Sequence, residues 1–267
     1  MALVKIPLSV VICSLGRTDN LYNCLQSLTE QTFKNFEVII ISDNKIDHFK
    51  NLTISWFKDI NKGLARARDT GWRKAKGELV SWIDDDVVVE KNWAKEVVST
   101  FDKNLKIGGV TGPTIIPLSL ISNRIVFWWY QNKSFLSKLW IKCMLDGDPY
   151  QIGKITKIGW WTPGSNFETC LKIDSPIEVD YLEACNMTLR RELVEQVGGF
   201  DLHFKGTSEW CEVDLAHRIV KLGKTLIFNP KVRVEHHVSK SGVYKNRHNI
   251  SERLMNFVRF RIKYVIS

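Results

Sequence analysis

A chain of 267 residues with 44% hydrophobic side chains is long enough to bury a sizeable core, and we read it as one α/β domain with an appendage. Its 38 basic and 29 acidic residues leave a net charge of +9, which favours anionic partners such as nucleotides or phospholipid head groups. Basic and acidic residues are mixed through most of the chain, which argues against the basic stripe of a nucleic-acid binder. The six cysteines are scattered with no CxxC pair, so neither a zinc knuckle nor a dense disulfide framework is expected, and reduced, buried thiols are. Pro7 interrupts the N-terminus before any long apolar run, too early for a signal peptide, and a cytosolic chain is expected.

In chain order, residues 8–13 read as a buried strand. Leu21, Cys24, Leu25 and Leu28 then recur at helical spacing, and residues 36–41 form the next strand, ending in Ser42-Asp43-Asn44. Residues 52–57 are a shorter third strand. Over residues 63–76, Leu64, Ala67, Gly71, Trp72 and Ala75 line one helical face, and a strand over 79–83 runs straight into Asp84-Asp85-Asp86. This β-α-β-α-β order predicts a parallel sheet covered by helices, whose ligands bind beyond the carboxyl ends of the strands. Ser14, Arg17, Asp43 and Asp84 to Asp86 all stand at such ends. Pro113 and Pro117 break the apolar stretch over 107–122, so no membrane span is expected there. In residues 124–150, Phe127-Trp128-Trp129-Tyr130 and Leu139-Trp140-Ile141 are interleaved with Lys133, Lys138 and Lys142, which suits either a membrane interface or a buried aromatic cluster. Further on, residues 184–190 read as a strand, 194–200 as a helix end closing on Gly198-Gly199, 212–222 as a helix, and 225–228 and 232–236 as short strands. From residue 247 onward, Arg253, Arg259, Arg261 and Lys263 alternate with Leu254, Phe257, Val258, Phe260 and Ile262. This tail is either an amphipathic helix on a membrane surface or a helix packed on the domain with its basic face in water.

Four groups carry chemistry. Three consecutive carboxylates repel one another, so Asp84 to Asp86 call for a cation such as Mg²⁺ or Mn²⁺ that would also hold substrate phosphates, or else cap the helix that begins near Lys91. Arg68 lies four residues after Leu64, on the inward helix face, placed for a phosphate or a base edge, or for an ion pair such as one with Asp43. Glu212 shares a helix face with Leu215 and Ile219 and is the carboxylate turned to the cleft, as a general base or as an acid facing the helix dipole. Asp214 falls on the other side, in reach of Arg218. In Glu235-His236-His237 a neutral imidazole would complete a metal's shell, the alternative being a surface pair.

The order of these motifs resembles the family 2 glycosyltransferases of GT-A fold. It runs from Leu8 to Ser14 with Arg17, through the helix around Cys24 to Leu28, the strand ending at Asp43, Gly63 to Asp69, and Ser81 to Asp86. It continues in Asn186 to Arg191, Val197 to Asp201, Glu212 to Leu215 and Val234 to His237. The resemblance implies a Rossmann-like GT-A fold over residues 1–240, with a nucleotide-sugar half (1–115) and an acceptor half carrying the aromatic insert (116–240), followed by a basic helical tail (241–267). It also implies a nucleotide-diphosphate sugar donor, with Asp43 on the base, Arg68 near the base or diphosphate, and Asp84, Asp85 and Asp86 on ribose and metal. Asp86 matches the last position of the family's DxD pattern and is the first choice for the direct metal ligand, with Asp84 and His236 in support. The family inverts the anomeric centre with a carboxylate base from a Glu-Asp pair. Here Cys211-Glu212 stands in that place, so Glu212 carries the role, with Glu209 and Asp214 as substitutes. No Gln-x-x-Arg-Trp motif of the processive synthases is present, which favours transfer of one sugar at a time to a saccharide or lipid-linked acceptor at the cytosolic face of an anionic membrane. The departure at Cys211 also leaves a catalytically inactive nucleotide-sugar-binding scaffold as the rival reading.

Overall fold

The computed structural model describes residues 7–15, 18–46, 48–59, 63–121, 134–238 and 249–266. The first strand, β1 (Leu8–Ser14), carries apolar residues on both faces and is buried almost throughout, as befits a central strand of a sheet covered on both sides. It pairs in parallel with β2 (Phe36–Ser42) on one side and β4 (Leu79–Asp84) on the other. β3 (Ile54–Lys58) lies outside β2. The helix α1 (Thr18–Thr29) turns Leu21, Cys24, Leu25 and Leu28 onto the sheet. The helix α2 (Leu64–Lys74) covers the opposite face, so the β-α-β-α-β reading of the first half holds.

Beyond β4 a turn at Asp85 and Asp86 leads into β5 (Val87–Val89), and α3 (Trp93–Asp102) returns to β6 (Ile107–Thr111). The short β7 (Thr114–Ile115) and α4 (Leu118–Ile121) follow. Past α5 (Phe135–Met144), the hairpin of β8 (Ile152–Ile155) and β9 (Trp161–Pro163) precedes β10 (Ile177–Val179) and β11 (Asn186–Arg190). Then come α6 (Arg191–Gln196), α7 (Cys211–Val220), β12 (Thr225–Phe228), β13 (Val234–His236) and α8 (Ile250–Arg261), which continues as a π-helical turn over Ile262–Ile266.

Among the described residues the main sheet has eight strands in the order β10-β12-β6-β11-β4-β1-β2-β3. β11 runs antiparallel between β4 and β6, so strands from both halves of the chain share one sheet. A small second sheet, β5-β13-β7, draws the late strand β13 to the turn that follows β4. Because side chains alternate along each strand, Val11, Ile39, Val80 and Trp82 pack with Trp72, Leu215 and Ile219 on one face. Val10, Ile12, Val38 and Ile83 pack with Leu25, Trp93 and Val97 on the other.

Several expected boundaries shift for physical reasons. The predicted helix end over 194–200 lies instead at Gln196, because Gly198 and Gly199 take positive φ values of 81° and 79°, which continue no right-handed helix. The strand predicted from 232 starts at Val234, since the Val232 N–H closes a turn onto the Asn229 carbonyl. The strand predicted from 184 begins at Asn186, and the helix predicted over 212–222 runs Cys211–Val220. No described cysteine is in a disulfide, but Cys143 is exposed and Cys13 only partly buried, so burial is not general.

The tail departs most from its pattern. Its basic residues turn inward: Arg253 meets Glu209 at 2.7 Å, Arg259 meets Asp201 at 2.9 Å, and Lys263 meets Asp201 at 2.9 Å and Asp214 at 2.7 Å. Burial works against ionisation of Asp201, yet hydrogen bonds from Lys263, His203 and Arg259 hold its carboxyl well below the usual range. Ile250, Leu254, Met255, Val258 and Ile262 are exposed instead. The basic face is therefore not the one in water.

Candidate active site

The site grows from how closely α2 sits on the sheet. Gly71 rests on Val11 so tightly that a Cβ there would overlap the valine side chain, and α2 enters through Gly63 at φ 134°, a backbone conformation that suits glycine. Asp69 accepts hydrogen bonds from the Trp72 indole at 2.7 Å and the Phe200 amide at 3.1 Å, tying the helix to the glycine turn. These contacts lower Arg68 toward the end of β4. Its Nη2 donates to Asp84 Oδ1 at 3.1 Å and approaches the Ala184 carbonyl at 3.5 Å, with only 4% of the Arg68 side chain exposed against 28% of Asp84. Burial works against its charge, but the carboxylates of Asp84 and Glu212 outweigh it, so the guanidinium stays protonated. The partner of Arg68 is thus Asp84 rather than Asp43, which is exposed on the loop after β2.

The three aspartates have three surroundings. Asp85 is fully buried and accepts a hydrogen bond from Ser14 Oγ at 2.6 Å, so it and Ser14 tie the ends of β4 and β1 to each other. Asp86 places Oδ1 3.1 Å from His236 Nε2, and its carbonyl takes the His237 N–H at 2.8 Å. None of the three caps α3, whose N-cap is Asn92. Of the Glu235-His236-His237 run only His236 points inward. His237 and Glu235 form a half-exposed pair at 3.4 Å. The other ring nitrogen of His236, Nδ1, lies 3.5 Å from Cys185 Sγ, and Asp84, Cys185 and His236 bring ligand atoms within 4.8 Å of one another. Arg17 lies outside the described residues, as does the run Phe127-Trp128-Trp129-Tyr130.

Glu212 opens α7 across from Arg68. Its Oε2 stands 4.0 Å from Arg68 Nη1 and accepts from the Cys211 thiol at 3.3 Å. Burial raises the Glu212 carboxyl above its ordinary range, opposed first by the Arg68 charge. Burial and the neighbouring Glu212 charge push the Cys211 thiol up as well, so it remains a donor. The helix is delivered by Trp210, which holds φ 71° while buried at 1% exposure. That left-handed conformation costs roughly 1–2 kcal/mol for a residue with a Cβ, offset here by the indole packing edge-on to Trp160 and against Phe257, with its N–H on the Gly159 carbonyl. The substitutes for the base are occupied: Asp214 is fully buried between Arg218, Lys263 and Tyr264, and Glu209 is paired with Arg253.

One residue of the site, Cys185, escapes a reading of the sequence, because it reaches the site only through the antiparallel register of β11 on β4, in which Asn186 faces Ile83.

A mixed sheet whose parallel strand ends gather an aspartate run, an inward arginine and, from a late helix and strand, a carboxylate and a histidine is the arrangement of a Rossmann-like GT-A fold. The model of glycosyl transferase family 2 matches residues 9–141, just under half of the chain. The chain is 24% identical over 244 residues to a glucosyl-dolichyl phosphate glucuronosyltransferase of Haloferax volcanii, an alignment covering 85% of this chain and 68% of that protein. Among solved structures it superposes on the mannosyltransferase PcManGT from Pyrobaculum calidifontis in complex with GDP-Man and Mn²⁺ with a TM-score of 0.62 at 16% identity, covering 98% of this chain and 65% of that one. It superposes on GalNAc-T7 with UDP, GalNAc and Mn²⁺ with a TM-score of 0.65 at 19% identity, covering 97% and 48%. The chain therefore spans about half to two thirds of the length of these two structures.

Proposed function

We propose that the protein is an inverting, metal-assisted transferase that moves one sugar from a nucleotide-diphosphate sugar to a saccharide or lipid-linked acceptor. The observation that carries this is the convergence of Asp86, His236, Asp84, Arg68 and Glu212 on one strand end, with the carboxylate at 4.0 Å from the guanidinium. The donor set fits a divalent ion. At metal–ligand distances of about 2.1 Å two adjacent ligands stand about 3 Å apart, which is the separation of Asp86 Oδ1 from His236 Nε2 at 3.1 Å. A nitrogen ligand favours a transition ion, so Mn²⁺ fits better than Mg²⁺. Asp86 and His236 would hold it, with Asp84 in support, and when bound it would neutralise charge on the leaving diphosphate. Arg68, kept charged, adds a fixed cation beside the same phosphates. Asp43, exposed beyond β2, would bind the nucleobase. Glu212 takes the proton of the acceptor hydroxyl, and the Cys211 thiol orients its Oε2 without adding a second negative charge.

The test is a calorimetric titration with UDP, GDP and dTDP, with and without Mn²⁺, followed by assay of nucleoside diphosphate release from the matching sugar conjugates. Binding of one nucleotide strengthened by Mn²⁺, with release on adding acceptor, is the expected result. Binding without release would leave the scaffold reading in its place.

We further propose that the protein works against an anionic membrane at its cytosolic face. No described helix is long and apolar enough to cross a bilayer. The exposed residues Leu254, Val258 and Ile262 of the tail and Phe135, Leu136 and Leu139 of α5 belong to helices that both pack on Trp160, through Phe257 and Trp140. Such apolar area, with Lys138 and Lys142 beside it, suits shallow insertion among head groups. Leu254→Asp combined with Val258→Asp is expected to weaken the affinity for vesicles containing phosphatidylserine, read by sedimentation, by about 10²-fold or more, since burying two aliphatic side chains is worth about 3 kcal/mol. Equal sedimentation of both proteins would overturn the assignment.

A further inference from the structure

Glu183 stands apart from the groups that hold a diphosphate or a proton, yet the fold fixes it with unusual care. Its Oε1 accepts hydrogen bonds from Ser165 Oγ at 2.6 Å and Asn166 Nδ2 at 3.2 Å, and lies 2.9 Å from Tyr181 Oη, whose single proton it shares with the Thr162 carbonyl at 2.6 Å. Ser165, Asn166 and Tyr181 are buried, at 1%, 4% and 3% exposure. Burial, reinforced by the Glu183 charge, raises the Tyr181 phenol well above its ordinary range, so it stays a donor. Glu183 itself is only partly buried. With Oε1 held by Ser165 and Asn166, Oε2 has no hydrogen-bond partner among the described residues, on a side chain that these buried donors restrain.

Its place in the sheet says what comes there. Glu183 lies three residues before Asn186, which pairs with Ile83 of β4, and its amide donates to Thr111 Oγ1 at the end of β6 at 3.3 Å. The next residue, Ala184, offers its carbonyl to Arg68, and Cys185 touches His236. Asp43, on the loop after β2, and Ser14, at the end of β1, lie on the opposite side of β4. For a donor with its base toward β2 and its diphosphate at Arg68 and Asp86, the sugar would lie toward β11 and β6, the side of the sheet on which Glu183 stands.

We propose that Glu183 reads the sugar being transferred: Oε2 accepts hydrogen bonds from ring hydroxyls of a neutral hexose, and the same charge disfavours a donor sugar bearing a carboxylate. An ionised carboxylate only accepts, which matches hydroxyl donors and repels a uronate. This proposal rests on the nucleotide-sugar reading above, and it sets this chain apart in donor class from the Haloferax relative, whose printed name is that of a glucuronosyltransferase.

The test measures affinities of the full-length chain with Mn²⁺ for a nucleoside diphosphate, its glucose conjugate and its glucuronate conjugate. Glu183→Gln is expected to leave the diphosphate affinity unchanged, to weaken the glucose conjugate by roughly 10-fold to 100-fold, the scale of a hydrogen bond to a charged group, and to narrow the gap between the glucose and glucuronate conjugates. Tyr181→Phe, which removes one brace and leaves the carboxylate in place, should shift the glucose conjugate in the same direction by a smaller factor. A glucose-to-diphosphate affinity ratio that is the same in the native chain and in Glu183→Gln overturns the proposal while leaving the donor site standing. Failure of the native chain to bind any nucleotide removes both readings. Melting curves of both variants matching the native protein exclude misfolding as the cause.

Discussion

Glu212→Gln is expected to lower the rate of sugar transfer by about 10²-fold to 10⁴-fold, the span typical of a lost general base, with little change in nucleotide-sugar affinity. The amide is nearly isosteric and still accepts from the Cys211 thiol, whose contact is with Oε2 at 3.3 Å, so the start of α7 should keep its shape. What it loses is the ability to take a proton. The pH dependence follows from the same surroundings. Because burial raises the Glu212 carboxyl above the ordinary glutamate range, the fraction of active, deprotonated base falls as pH is lowered through that raised value. The acid limb of the kcat/KM profile should then lie above the ordinary glutamate pKa of about 4.3. In the glutamine variant this limb should vanish together with the rate. Unchanged transfer in Glu212→Gln would remove the base assignment altogether, since Asp214 and Glu209 are held by Arg218, Lys263, Tyr264 and Arg253 and neither is available to take its place.

Those ion pairs also mark what could and could not be read from the chain. Local patterns were legible: β-branched runs such as Val10-Val11-Ile12 and Val38-Ile39-Ile40-Ile41, the helical face that sends Arg68 inward, and the strand delivering Asp84. Each depends on neighbours within one or two turns. The i, i+4 pair of Asp214 with Arg218 was legible for the same reason. Contacts set by long-range register were not. Cys185 meets His236 across 51 residues, and Glu183 gathers donors from a loop 17 and 18 residues upstream. The tail shows a different limit. Its alternation of basic and apolar residues is compatible with either face turned inward, and the choice is made by Asp201, Glu209 and Asp214, whose buried or half-buried charges need cations. The acids of the late helix, read singly as alternatives for catalysis, thus serve chiefly to fasten the tail.

The second large effect concerns Asp86. Asp86→Ala is expected to lower Mn²⁺-supported transfer by on the order of 10³-fold, since a metal at a leaving diphosphate supplies several kcal/mol of charge stabilisation and each 1.36 kcal/mol is tenfold. The same change should abolish the strengthening of nucleotide binding by Mn²⁺, which a titration followed by the paramagnetic signal of the free ion reads independently of turnover. His236→Ala should do likewise, because its Nε2 is the atom 3.1 Å from Asp86 Oδ1. For that nitrogen to carry the lone pair, Nδ1 must hold the proton, and in that tautomer the Nδ1–H would donate a hydrogen bond to the Cys185 sulfur at 3.5 Å. Asp85→Asn is the informative contrast. Its Oδ2 accepts from Ser14 inside the protein, so this variant should lose stability and keep its response to Mn²⁺. Transfer that persists in Asp86→Ala with excess chelator present would sink the metal assignment. Loss of the Mn²⁺ response in Asp85→Asn but not in Asp86→Ala would move it one residue back along the turn, against the direction in which the two side chains point.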